Sequence, residues 1–410
     1  MAKESAPGWR HLQALAVDIG PRGSTTAAER RAGMYIRDVL QKLGFETAVE
    51  SFRSVTSFSW PYGLLYLAFV ASAVIFPWTP SGAAILSLAA LALYLWENTT
   101  REGISLILPK RASQNIVGRI SAVSDGPAGT PPQRRIIFVA HYDSSRSALT
   151  FHPKLVAGFK RSFWLMAVSM FMVATLYCLA AAVGPAGGFA RLAWWASLPF
   201  AAYLAVVVLL LVHRETLGRH THGANDNASG VATMLEVAER VNKEGAPAGV
   251  DAWFLATGAE EAGTVGMLRF LEKHRAELDK ENTFFINFDN LGAGRITFVT
   301  KEGMLTSAAS DPDLVAAAAH AVKLEPGLPA TGRPYVLMPT DATPALVRGY
   351  RAMSIMALDR DGLLPNWHWI TDVIDNVEPE NIGAAAELAW RMLGLLGRME
   401  GRSAIGGGGC

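Results

Sequence analysis

The stretch Ile136-Ile-Phe-Val-Ala140-His141-Tyr-Asp143 decides the fold. Five consecutive apolar residues run straight into a histidine and, two positions on, an aspartate. An uninterrupted apolar run of this length reads as a strand covered on both faces, the habit of parallel sheets in α/β proteins. Three more runs repeat the arrangement: Val250 to Ala256 precedes Glu260 and Glu261, Phe284 to Phe288 precedes Asp289, and Met353 to Leu358 precedes His368. A further acid, Asp226, opens a helix in Gly223-Ala-Asn-Asp-Asn-Ala-Ser-Gly230. Ligand sites of open α/β sheets form at the carboxyl ends of parallel strands, so groups this far apart in sequence can meet in one crevice.

Helix-like segments alternate with these strands: Ala27 to Leu43, Ala228 to Asn242, Gly263 to Lys273, Pro312 to Val322 and Pro379 to Leu396. The alternation predicts an α/β fold with a mainly parallel central sheet flanked by helices. Strands are also expected at Thr47 to Val55, Asn115 to Ile120 and Ile296 to Thr300.

The composition points elsewhere for part of the chain. Half of the 410 residues are hydrophobic and only 18% are charged, with a mean hydropathy of +0.22, against about a quarter charged in ordinary soluble domains. The excess is concentrated in Phe58 to Trp78, Pro80 to Trp96, Phe163 to Gly184 and Leu192 to Val212. Each approaches the roughly 20 residues that a helix needs to cross a bilayer. Two inserted transmembrane hairpins, 58–96 and 161–213, are therefore expected within a discontinuous polar domain of 1–57, 97–160 and 214–403, followed by a flexible tail over 404–410. Each hairpin is expected to leave and return near the sheet edge, which sets the site close to the membrane surface.

Arg53, Arg101, Lys110, Arg111, Lys154, Lys160, Arg161, Arg214 and Arg219 flank the apolar stretches on the polar-domain side, whereas the short connecting loops offer only Arg191. Positive residues stay inside, so the polar domain is expected in the cytoplasm of a cell whose inner membrane holds the hairpins. The charged segment Met1 to Lys42 does not read as a cleavable signal peptide. Two cysteines, Cys178 and Cys410, cannot staple the fold and agree with a reducing compartment. Trp96, Trp194 and Trp195 read as interfacial anchors. A net charge of +1 excludes the electrostatic footprint of a nucleic-acid binder.

Imidazole nitrogen and carboxylate oxygen are zinc donors, and five such ligands with one carboxylate bridging suffice for two ions. Adjacent acids such as Glu260 and Glu261 divide naturally into a ligand and a proton carrier. Taken singly, each residue has an ordinary alternative. His141 and His368 would be packed histidines, Glu260 and Glu261 a solvated pair at a helix start, Asp289 a turn residue and Asp226 a helix cap, although Asn227 can cap instead.

In combination they resemble metallopeptidase family 28, the co-catalytic di-zinc aminopeptidase family. The resemblance runs from Gly20-Pro-Arg-Gly-Ser24 through His141-Tyr-Asp143, the Gly223 to Gly230 stretch, Glu260-Glu261 and Asn287-Phe-Asp289 to His368, Asp372 and Asp375. It implies one Zn2+ held by His141 and Asp289, a second by Glu261 and His368, Asp226 bridging, Glu260 as general acid and base, and Asp143 hydrogen-bonded to His141 from behind. The implied activity is a membrane-anchored zinc exopeptidase acting on peptides. A glutaminyl cyclase-like transferase with a single zinc, and a catalytically silent membrane receptor on the same fold, are the alternatives. Two departures, Trp369-Ile-Thr after His368 and Thr340-Asp341-Ala342 lacking the family's histidine, leave these ligands untouched and bear on the substrate pocket.

Overall fold

The strand Arg134–His141 shows why the sheet needs cover on both faces. Ile136, Phe138 and Ala140 point into one hydrophobic core, and Ile137 and Val139 into another, as the two-residue period of a strand requires. The computed structural model describes residues 5–120, 134–185 and 187–398. The expected 404–410 tail lies outside them.

Nine strands among the described residues form one sheet: β1 (Glu46–Ser54), β2 (Arg111–Ile120), β3 (Arg134–His141), β4 (Val250–Thr257), β5 (Thr283–Asp289), β6 (Arg295–Gly303), β7 (Ser307–Ala309), β8 (Ala330–Tyr335) and β9 (Arg351–Leu358). The order is β1-β2-β4-β3-β5-β9-β6-β7, with β8 also paired to β6. Only the centre, β4-β3-β5-β9, is continuously parallel. β1 and β2 pair antiparallel, as do β2 with β4, β9 with β6, and β6 with β7. The sheet is therefore mixed rather than mainly parallel. The central four strands need helical crossovers, whereas the β1–β2 pair closes through the first apolar hairpin and the β6–β7 pair through a short turn.

One face is covered by the helices Ala27–Lys42, Ser229–Glu244, Pro312–Leu324 and Pro379–Arg398, the other by Val265–Lys273 and Ala342–Val347. The Pro379–Arg398 helix buries Ala385, Leu388, Ala389, Met392, Leu393 and Leu396, the three-and-four spacing of a single helical stripe.

The apolar stretches form the helices Ser59–Ile75, Pro80–Glu97, Phe159–Val183 and Gly188–Leu217. They pack in a closed ring, the first and third each lying against both the second and the fourth. The bundle has a core of its own, centred on Phe69, Met170, Val173, Tyr177 and Leu204. Trp194 donates from Nε1 to the Ala73 carbonyl at 2.9 Å, tying one hairpin to the other.

Three of the helices, with the third counted from Val156, are long and apolar enough to cross a membrane, against the four expected. Ser59–Ile75 has 17 residues. Its apolar stretch is cut by Pro77, since a helix ends before a proline. The hairpins also leave the sheet differently from expectation. The first joins edge strand β1 to β2, but the second departs from the carboxyl end of β3 in the middle of the sheet.

Candidate metal centre

Strand register brings the ligands together. His141 ends β3 opposite Thr257 of β4, and Asp289 ends β5 opposite Met356 of β9. The loops beyond Thr257 and Leu358 then deliver Glu260, Glu261 and His368 to the same end of the sheet. Two groups result, His141 with Asp226 and Asp289, and Asp226 with Glu261 and His368.

Asp226 belongs to both groups, and its two oxygens divide between them. Oδ1 lies 3.2 Å from His141 Nε2 and Oδ2 lies 3.1 Å from His368 Nε2. His141 Nε2 is 3.7 Å from Asp289 Oδ1, and His368 Nε2 is 3.2 Å from Glu261 Oε1. Ligands about 2.1 Å from a tetrahedral zinc sit roughly 3.4 Å from one another, so the spacing suits a shared cation in each group. Glu261 Oε1 is buried with no hydrogen-bond partner, which leaves its lone pairs free for a metal. The donor set and its geometry fit zinc.

Charge balance argues the same way. Burial alone would push both imidazoles towards neutrality. Glu260, Asp143, Asp226 and Asp289 nevertheless hold His141 well above the usual histidine range, and Glu261 and Asp226 hold His368 up at about 9. Asp226 is displaced downwards: burial raises it, but the two histidines outweigh burial. Glu260 is raised far above an ordinary carboxylate by burial first, with Asp341, Glu261 and Asp289 adding repulsion against the pull of His141. A pocket with this excess of acids is built for positive charge.

Asp143 departs from its expected contact. His141 Nδ1 lies 3.2 Å from the Asp143 main-chain oxygen, whereas the Asp143 carboxylate is 3.7 Å away, beyond hydrogen-bonding distance. That carboxylate instead accepts the main-chain N–H of Glu260 at 3.0 Å and of Glu261 at 3.1 Å, together with the Ser24 hydroxyl at 2.5 Å. It fixes the turn that presents both glutamates, and the backbone carbonyl orients the imidazole.

The Asp226 loop is held just as fully. Asp372 accepts the N–H groups of Asn225 and Asp226 at 2.6 and 3.2 Å. Asn227 Oδ1 accepts from Gly230 at 3.0 Å, so the helix cap falls to Asn227 and leaves Asp226 free. Gly230 has to be glycine for a steric reason, since a Cβ there would lie 2.5 Å from the Phe288 carbonyl oxygen. His220 and His222 stay out of both groups, His222 Nδ1 meeting the Ala16 carbonyl at 3.0 Å.

Three residues that reading the sequence did not single out support the centre. Arg22 is fully buried and donates to the carbonyls of Tyr142, His222 and Gly223 at 2.6, 2.5 and 2.7 Å. Glu29 binds the N–H groups of Thr25 and Ala259. Ser24 anchors Asp143 as described. Arg22 and Ser24 sit in the quoted Gly20 to Ser24 segment, the one signal that could have found them.

Comparison with known proteins agrees with this geometry. Residues 196–393 match the model of Peptidase family M28. The alkaline phosphatase isozyme conversion protein of Escherichia coli (strain K12) is 40% identical over 78 residues, covering 19% of this chain and 22% of that protein. The chain thus spans about a fifth of this curated relative. BSAP, a zinc aminopeptidase from Bacillus subtilis, superposes with a TM-score of 0.54 at 15% identity, over 94% of this chain and 93% of that one. A glutaminyl cyclase of Bacteroides thetaiotaomicron bound to N-acetylhistamine gives 0.54 at 16% identity, over 94% and 96%. Residues 196–393 thus carry the match to peptidase family M28, and the chain as a whole has the fold of the zinc aminopeptidases.

Proposed function

We propose that this protein is a membrane-anchored, zinc-dependent exopeptidase that removes amino-terminal residues from peptides. The observation that carries the reading is the sharing of Asp226 between two histidine and carboxylate groups, with Glu260 beside them. Glu260 Oε2 lies 4.0 Å from His141 Nε2. It lines the same cavity as the ligands while belonging to neither group.

Two zinc ions, one in each group, would supply Lewis acidity to the scissile carbonyl and to water. His141, Asp289, Glu261 and His368 would hold them, and Asp226 would bridge. Glu260 takes the proton of the attacking water and delivers it to the departing amine as the C–N bond breaks, leaving a free amino acid and a shortened peptide. A carboxyl raised by burial holds a proton more firmly than an ordinary one, which suits it to taking the proton of water. Asp143 keeps Glu260 in place through its main chain.

The apolar helices support anchoring. Their outward faces present Ile85 at 71%, Leu192 at 66% and Leu209 at 66% exposure, a surface that water does not tolerate in this extent. We read the shorter first helix, packed in the same closed ring, as a fourth span beside the three long enough to cross, in a bacterial inner membrane with the polar domain on the cytoplasmic side that the flanking charges favour.

The test is metal analysis with a panel of aminoacyl chromogenic substrates. About two zinc ions per chain are expected in wild type and in Glu260→Gln, with activity lower in the variant by about 10²–10⁴. A fully active variant overturns the role of Glu260, and a panel without turnover overturns the exopeptidase reading. The likeness to a glutaminyl cyclase favours a second reading, aminoacyl transfer with one zinc. A single ion per chain and cyclisation of amino-terminal glutamine would select it.

A further inference from the structure

The candidate centre opens into a cavity of about 530 Å³ that reaches far beyond the ligands. Its floor is His141, Asp226, Glu260, Glu261, Asp289 and His368. Its upper walls come from all four apolar helices. On the Gly188–Leu217 helix the lining residues are Tyr203, Val206, Val207, Leu210, Leu211 and Arg214, one face at three-and-four spacing. From Tyr203 to Arg214 this stripe runs roughly 16 Å at the helical rise. The volume lies within the roughly 300–1,000 Å³ of small-molecule sites.

An aromatic collar joins the two regions. The Phe151 ring stands edge-on to His368 at 4.6 Å and to Trp367 at 4.7 Å, and Trp367 meets Phe159, the first residue of the third apolar helix, at 5.1 Å. The cavity therefore passes from a polar, acid-rich floor through aromatic rings into a space walled mainly by aliphatic and aromatic side chains, with Glu97, Asn98, Ser162 and Arg214 among them.

That polarity gradient selects the occupant. Helical walls satisfy their own backbone groups, and the Ser162 and Tyr203 hydroxyls are paired to each other at 2.7 Å. A polypeptide threaded here would find only isolated side-chain partners, such as the Tyr94 hydroxyl and Arg214 Nε, for N–H and C=O groups that recur at every residue, and each one left unpaired carries a substantial cost. A hydrocarbon chain has no such groups and gains from every buried methylene.

We infer that the substrate is a long-chain amide, with its hydrocarbon chain between the four apolar helices and its amide at the carboxylate and histidine floor. The inference rests on reading that floor as an amide-hydrolysing centre. Water adds to the amide carbon, the C–N bond breaks, and the nitrogen leaves with the proton carried by Glu260, so that one amide and one water give one acid and one amine. An N-alkanoyl amino acid and an amino-acid alkylamide share this chemistry.

The test is calorimetric binding to the full-length protein in one detergent. The probes are N-dodecanoyl-leucine and leucine dodecylamide, their acetyl and methylamide counterparts, and a leucine-rich hexapeptide. One or both dodecyl probes are expected to bind at least tenfold more tightly than their short counterparts, as burial of several methylenes at roughly fourfold each implies. Val207→Phe, and separately Leu210→Trp, should reduce that ratio at least tenfold, whereas Leu209→Phe on the outer face of the same helix should leave it unchanged. The arm that responds identifies the side of the amide that carries the chain. Equal binding of long and short probes, or a hexapeptide that binds as tightly and responds to the same variants, overturns the inference. Chain-dependent binding without hydrolysis of any amide overturns the hydrolase reading and upholds the occupant. Hydrolysis of aminoacyl substrates without chain dependence in binding overturns the occupant alone.

Discussion

Glu29 Oε1 accepts the main-chain N–H of Ala259 at 2.9 Å, joining the first turn of an early helix to the residue before Glu260. Burial, and then the charge of Asp143, raises the Glu29 carboxyl to about 8 despite three donors that pull it down. The folded protein thus keeps a proton that the unfolded chain releases near 4.5. The resulting stabilisation is complete below about pH 4.5, declines as pH rises, and is gone above about 8. Melting temperatures followed from pH 5 to 9 should fall more steeply for wild type than for Glu29→Gln, even though the variant starts lower. Superimposable slopes would refute this.

The sharing of Asp226 makes metal removal asymmetric. His141→Ala and His368→Ala should each lower bound zinc from about two to about one per chain, and Asp226→Ala should lower it to near zero. Elemental analysis after gel filtration checks the pattern. Equal losses in all three variants would mean that no carboxylate bridges.

Asp143 acts through the turn it clamps. Asp143→Ala leaves the N–H groups of Glu260 and Glu261 without an acceptor. A loss of about 10–100-fold in metal affinity is expected, the usual effect of removing a supporting contact behind the ligands. Competition against a chelator measures it. Unchanged affinity would show that the turn holds its shape without the carboxylate.

Sidedness is open to direct labelling. Trp78 lies in the first hairpin's connector, 80% exposed, and Glu281 lies on the polar domain. In a chain with Cys178 and Cys410 replaced by serine, Trp78→Cys should react with an impermeant maleimide in intact cells. Glu281→Cys should react only after permeabilisation. The opposite pattern would reverse the orientation.

The strands that end at His141 and Asp289, and the one that precedes Glu260, were legible because each is an unbroken apolar run buried on both faces, a pattern that few other local structures produce. β8 was not: Ala-Thr-Gly-Arg-Pro-Tyr contains the two residues least suited to a strand, and its pairing with β6 alone gives it order. The ligands could be named from residue type and position. Arg22, Glu29 and the true contacts of Asp143 could not, because their roles depend on main-chain groups brought together across more than a hundred residues. Replacing Arg22 by alanine would take the side-chain donor from the Tyr142 and His222 carbonyls, while Gly223 keeps the Ala228 N–H, at a cost of roughly 2 kcal/mol or more.

The second hairpin separates His141 from Asp226 along the chain, so the bridging acid reaches its histidine only after the whole apolar detour has been laid down. Assembly of the centre is thereby ordered in time. A nascent chain that has not completed that detour holds His141 but not the acid that faces it.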